Sequence, residues 1–113
     1  MTTIDASTYQ QRMSEAQMES SIRGAIGERG LVFHIRDSRG TPEMQGFPDL
    51  VLIMPGKNMV MFVELKSQKR RVTDEQQAVM AAIGECSEVR SYLVRPKPHE
   101  GEISFDQLME VLA

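Results

Sequence analysis

At 113 residues, with 41% hydrophobic and 26% charged side chains, the chain is expected to form one domain spanning 1–113, too apolar for disorder and too short for two cores. Its single cysteine, Cys86, excludes an internal disulfide and any multi-cysteine zinc site. No apolar run reaches membrane-spanning length and the polar start lacks the apolar centre of a signal peptide, so a cytoplasmic protein is expected. The net charge of −3 argues against a polyanionic partner until its distribution is considered. Eight basic residues and five acidic ones lie between Lys57 and Lys97, while the remaining acids gather towards the two ends.

In chain order, residues 1–9 are polar and expected to fray. From about Gln10 to Arg29 the pattern is helical, with Met18, Ile22, Ala25 and Ile26 on one stripe of a 3.6-residue period and Gly30 as the C-terminal cap. Glu15 and Glu19 project onto that same stripe, where an acid needs a partner. Leu31 to Arg36 reads as a first strand, with Leu31, Phe33 and Ile35 on one face and Val32, His34 and Arg36 on the other. Asp37 to Pro48 carries Ser38, Gly40, Pro42 and Gly46 and reads as a long connection.

Asp49 to Met54 and Met59 to Lys66 are apolar runs separated by Pro55-Gly56-Lys57-Asn58, the pattern of a β-hairpin. In an antiparallel pair the numbers of facing residues add to a constant. If the turn occupies Pro55 to Asn58, Met54 faces Met59 and Asp49 faces Glu64. Their Cβ atoms would lie roughly 4.5–5.5 Å apart, where like charges destabilise the pair. Lys66 falls on the face of Glu64, one step further along. The second strand of the hairpin is apolar on both faces and should lie mid-sheet, covered on both sides.

Ser67 to Val72 is a basic loop containing Lys69, Arg70 and Arg71. Thr73-Asp74-Glu75-Gln76 opens a helix with a capping box, and Ala78, Val79, Ala82 and Ile83 are its expected buried stripe. Glu88 to Arg95 reads as a strand stopped by Pro96 and Pro98. Ser104 to Ala113 reads as a closing helix through Phe105, Leu108, Met109 and Leu112. Cys86 is expected in the core. The order is αβββαβα, a mixed four-stranded sheet flanked by helices. The helix crossing between the third and fourth strands implies a parallel pair with a right-handed connection.

Two opposed acids beside a lysine need something to offset their repulsion, and a divalent cation on oxygen ligands is the simplest candidate. Gly46-Phe47-Pro48-Asp49-Leu50, then Glu64-Leu65-Lys66-Ser67, a basic turn, and Gln76 ten residues past the lysine together resemble the VRR-NUC (virus-type replication-repair nuclease) domain. That domain belongs to the PD-(D/E)XK nuclease superfamily with its restriction-endonuclease-like α/β core. The resemblance covers about Glu15 to Arg95.

What it implies is a phosphodiesterase dependent on Mg²⁺ or Mn²⁺. Asp49, Glu64 and the Leu65 backbone carbonyl would be metal ligands, and Lys66 would position or deprotonate the attacking water. Glu19, followed by Ile22 and Ile26, would match the family's helical glutamate and join the metal ligands, with Glu15 as the alternative. Gln76 would match its active-site glutamine. Lys69, Arg70 and Arg71 would lie along the DNA backbone, with Arg36, His34, Arg39 and Arg95 as further basic candidates. The expected activity is structure-selective cleavage of branched DNA, four-way (Holliday) junctions first, by a homodimer. No appended recognition domain is evident, which fits stand-alone resolvases, and a phage replication-repair setting follows from the family alone. A flap or single-strand nuclease, the cleavage subunit of a larger assembly, and a junction-binding module that does not cut are the alternatives.

Overall fold

The computed structural model describes residues 12–35 and 42–113, the side chain of Pro42 excepted. The expectations for residues 1–9, Arg36, Arg39 and the start of the 37–48 connection lie outside the described residues. Helix α1 (Glu15–Ile26) begins at a capping box in which Ser14 accepts from the Gln17 amide and Gln17 returns a bond to Ser14. It ends at Gly27, whose φ of 51° is open to glycine at little cost. The helix is therefore shorter than its periodicity suggested, and its cap is Gly27, with Gly30 beyond a 3₁₀ turn.

Strand β1 (Leu31–His34) pairs antiparallel with β2 (Leu50–Met54), and β2 with β3 (Met59–Leu65). The hairpin turn is a 3₁₀ turn over Pro55–Lys57 closed by Asn58 in the left-handed region. That geometry sets Met54 opposite Met59 and Leu50 opposite Val63, the register expected from the turn length. After helix α2 (Asp74–Gly84) comes β4 (Arg90–Arg95), parallel to β3.

A fifth strand, β5 (Ile103–Ser104), pairs parallel with β4, so the sheet has five strands where four were expected. Its two residues are too few to show an alternation, which is why the sequence pattern missed it. Ser104 then caps α3 (Phe105–Leu112). The sheet order is β1-β2-β3-β4-β5.

One face of this sheet is the core. Met18, Ile22 and Ile26 of α1 and Phe105, Leu108 and Leu112 of α3 pack on Leu50, Leu52, Met54, Met61, Val63, Leu65 and Val94. Ala25, expected on the stripe, is exposed. The opposite face is covered only in part. Helix α2 lies over β4, and none of its residues is fully buried: Val79, Met80 and Ile83 are half-buried while Ala78 and Ala82 are exposed. The expected buried stripe therefore fails, because the helix packs chiefly on the single strand β4.

Over β1 to β3 that face stays open. Leu31 (55%), Phe33 (49%) and Val60 (41%) are exposed, so β3 is sheltered on one side along its whole length but on the other only near its C-terminal end. Cys86 is exposed, not in the core.

Candidate active site

The sheltered end of β3 and the residue preceding β2 meet between the N-termini of α1 and α2. The Asp49 amide donates to Glu64 Oε1 at 3.1 Å, and the Leu65 amide donates to Asp49 Oδ2 at 3.1 Å. The two acids thus continue the hairpin ladder with their side chains, in the opposed positions set by the register. Glu64 and Lys66 are each 1% exposed, and Lys66 Nζ lies 3.3 Å from Glu64 Oε2. The Lys66 amide meanwhile bonds to the Val94 carbonyl, extending the β3–β4 pairing past the strand end.

Gln76 performs two tasks at once. Its Oε1 accepts from the Thr73 amide in the α2 capping box at 3.0 Å, and its Nε2 donates to Glu64 Oε2 at 2.9 Å. The cap fixes which end of the amide faces the acid. The approach to Asp49 is set by Gly46, at φ 82°. A side-chain carbon at that position would lie 2.4 Å from the Glu75 carbonyl oxygen, so only glycine lets this segment lie against the start of α2. Phe47 packs edge-on against Phe62 with ring centroids 5.9 Å apart, and Pro48 is buried.

Electrostatically this is a site of unresolved negative charge. Burial, and then the facing Asp49, push the Glu64 carboxyl up to about 7 despite Lys66. Burial also raises Asp49, which the Leu65 amide opposes and the Glu15 carboxylate reinforces. The donors suit a hard cation. Two carboxylates with displaced proton affinities adjoin a backbone carbonyl, and Asp49 Oδ1 has no hydrogen bond among the described residues. Among those residues no group of three His, Cys, Asp or Glu side chains is assembled for a metal. Mg²⁺ commonly uses one or two carboxylates, completed by water and substrate phosphate, so the donor set fits.

A family model for the VRR-NUC domain matches residues 37–97, more than half of the chain, and spans Asp49, Glu64, Lys66 and Gln76. The chain belongs to the VRR-NUC family. No curated protein and no solved structure matches it. VRR-NUC membership assigns a nuclease of the PD-(D/E)XK type, with DNA as its partner and a family habit of using divalent metals. No helix among the described residues is long and apolar enough to cross a membrane.

Within this VRR-NUC domain the two helical acids part company. Glu19 is taken by His34 Nδ1 at 2.5 Å and Arg23 Nε at 3.0 Å. Burial opposes its ionisation, but those hydrogen bonds hold its carboxyl below the usual value. Glu15, one turn nearer the site, accepts from the Ser67 amide at 3.4 Å and from Arg70 at 3.2 Å, and its charge reaches Asp49. A sequence signal for this existed: the Ser14…Gln17 box starts the helix at Glu15 and puts that acid in its first turn.

Lys69, Arg70 and Arg71 are exposed beside the site, with Arg70 engaged by Glu15. Arg95, a minor candidate from sequence, is 2% exposed and bonds Glu102 and the carbonyls of Ser67 and Arg70. No local pattern marks that role, because its partners lie 25 and 28 residues away.

Proposed function

We propose that this VRR-NUC domain is a metal-dependent, structure-selective DNA endonuclease. In this reading it hydrolyses phosphodiester bonds in branched DNA, four-way junctions first, as a homodimer. The observation that carries it is the cluster of buried Glu64 and Lys66 with half-buried Asp49, locked by the Leu65 amide and by Gln76 Nε2.

Asp49, Glu64 and the Leu65 carbonyl would hold Mg²⁺ or Mn²⁺. Such an ion supplies Lewis acidity towards the phosphate and a lowered pKa for attacking water. Lys66 orients that water and offers positive charge to the oxygens of the phosphate as it becomes pentavalent. Gln76 holds the Glu64 carboxylate in place from the start of α2. The helical acid's part goes to Glu15 in place of Glu19, because Glu15 adjoins Ser67 and acts on Asp49 while Glu19 is held by His34 and Arg23.

One such site cuts one strand, so symmetric resolution of a junction needs two sites related by a two-fold axis. The exposed sheet face with Leu31, Phe33 and Val60, beside the edge strand β1, which has no second partner strand among the described residues, supports a contact between copies. The test is cleavage of labelled four-way junction, flap and duplex DNA with Mg²⁺, Mn²⁺ or EDTA. Junction cutting that requires the metal supports the reading. Cutting of flaps alone favours a flap nuclease, and binding without metal-dependent cutting favours a junction-holding module.

A further inference from the structure

The basic loop that follows Lys66 forms one wall of a cavity of about 300 Å³ whose lining includes Lys69, Arg70, Arg71, Gln77, Arg95 and Glu102. Four of these side chains are permanent cations and one is a carboxylate. Its base is Arg95, whose Nε donates to Glu102 at 2.8 Å and whose Nη1 donates to the carbonyls of Ser67 and Arg70 at 2.9 and 2.6 Å. Gln68 ties the second wall to the first by bonding the Lys97 backbone in both directions.

Arg95 Nη2 has no acceptor among the described residues, although the residue is 2% exposed. Arg95 lines the cavity, and Nη2 is the guanidinium nitrogen that its bonds to Glu102, Ser67 and Arg70 leave over. An enclosed guanidinium with the two N–H groups of one nitrogen unused is a preorganised anion receptor, since its fork geometry suits phosphate oxygens.

The remaining charges agree. Arg70 is engaged by Glu15 and Glu102 by Arg95. Lys69 and Arg71 form no ion pair among the described residues and are left to serve a ligand, with His99, 58% exposed, at the rim. Position matters too. Gln76 faces Glu64 while the next residue, Gln77, lines this cavity, so the cavity flanks the carboxylates across the first turn of α2.

We propose that this cavity is a phosphate-binding subsite for the nucleic-acid strand, separate from the carboxylate site, with Arg95 Nη2, Lys69 and Arg71 as the donors. The choice of a strand phosphate over a free one rests on the nuclease reading above.

The test is a titration of the isotope-labelled full chain in EDTA, where nothing is cut, first with inorganic phosphate and then with a short oligonucleotide. Phosphate is expected to shift the amide resonances of residues 67–72 and 97–102, and the oligonucleotide to displace it from them. Arg95→Lys, which keeps the charge but loses the fork, is expected to weaken oligonucleotide binding about tenfold. Lys69→Ala is expected to lower the slope of log affinity against log salt by about one. If Arg95→Lys does not fold, Lys69→Ala and His99→Ala, both exposed, carry the comparison.

Phosphate that moves neither loop overturns the proposal. So do surface variants whose affinity and salt slope match the parent's. Phosphate that binds but is not displaced by the oligonucleotide overturns the assignment to the strand. Failure of the nuclease reading would look different: no cleavage with metal, yet intact binding at these loops.

Discussion

Glu64 is the residue on which pH and, in the proposed function, the metal act together. Its carboxyl stands at about 7 against an ordinary 4.5, so between those values the folded, metal-free chain keeps a proton that the unfolded chain has lost. Stability of the metal-free protein should therefore fall as pH rises from about 4.5 to about 7 and level off above. Thermal denaturation in EDTA across that range checks this, with Glu64→Gln expected to flatten the profile. The same proton competes with a cation, so Mg²⁺ should raise the melting temperature more at pH 8 than at pH 6. In the proposed mechanism Lys66 acts at the phosphate and not in its capture. Lys66→Ala should lower turnover by about a hundredfold or more while DNA affinity in EDTA stays within a few-fold; loss of both together would contradict that role.

The capping box of α2 shows how one element is made to serve the site. Thr73 and Gln76 satisfy each other's backbone amides, which stabilises the helix start, and the leftover half of the Gln76 amide reaches Glu64. Gln76→Ala should cost about 1 kcal/mol of stability and, through Glu64, about tenfold in turnover. Gln76→Glu keeps an acceptor for the Thr73 amide but sets a carboxylate against Glu64. Urea denaturation should show the cap largely restored in that variant, and kinetics should show turnover still depressed. Recovery of both would mean that Gln76 matters only as a cap.

For the molecule as a whole, the proposed homodimer predicts a particular pattern in mixtures. If two copies cut a junction symmetrically, an excess of Lys66→Ala protein mixed with the active protein should convert junctions to singly nicked products. Fully resolved products should then fall with the square of the active fraction. A linear fall would mean that single copies act independently, and electrophoresis of a plasmid-borne junction distinguishes the two. The exposed face over β1 to β3 belongs to the same scale, because the one helix among the described residues on that side is too little to cover a five-stranded sheet.

Local chemistry made much of this legible in the chain itself. The four-residue turn after Met54 set the hairpin register, and that register alone placed Asp49 across from Glu64 with Lys66 beside them. Capping residues marked where the helices begin, and apolar periodicity marked the core faces of α1 and α3. What tertiary structure decided were the contacts between residues far apart in the chain. Glu15, not Glu19, came to lie against Ser67. Arg95 closed over the loop after Lys66, a two-residue strand joined the edge of the sheet, and α2 covered only part of its face. Hydrogen-bonded turns and side-chain alternation act over a few residues and can be read locally. Which distant groups meet depends on how the packed layers settle, and that is a property of the assembled molecule.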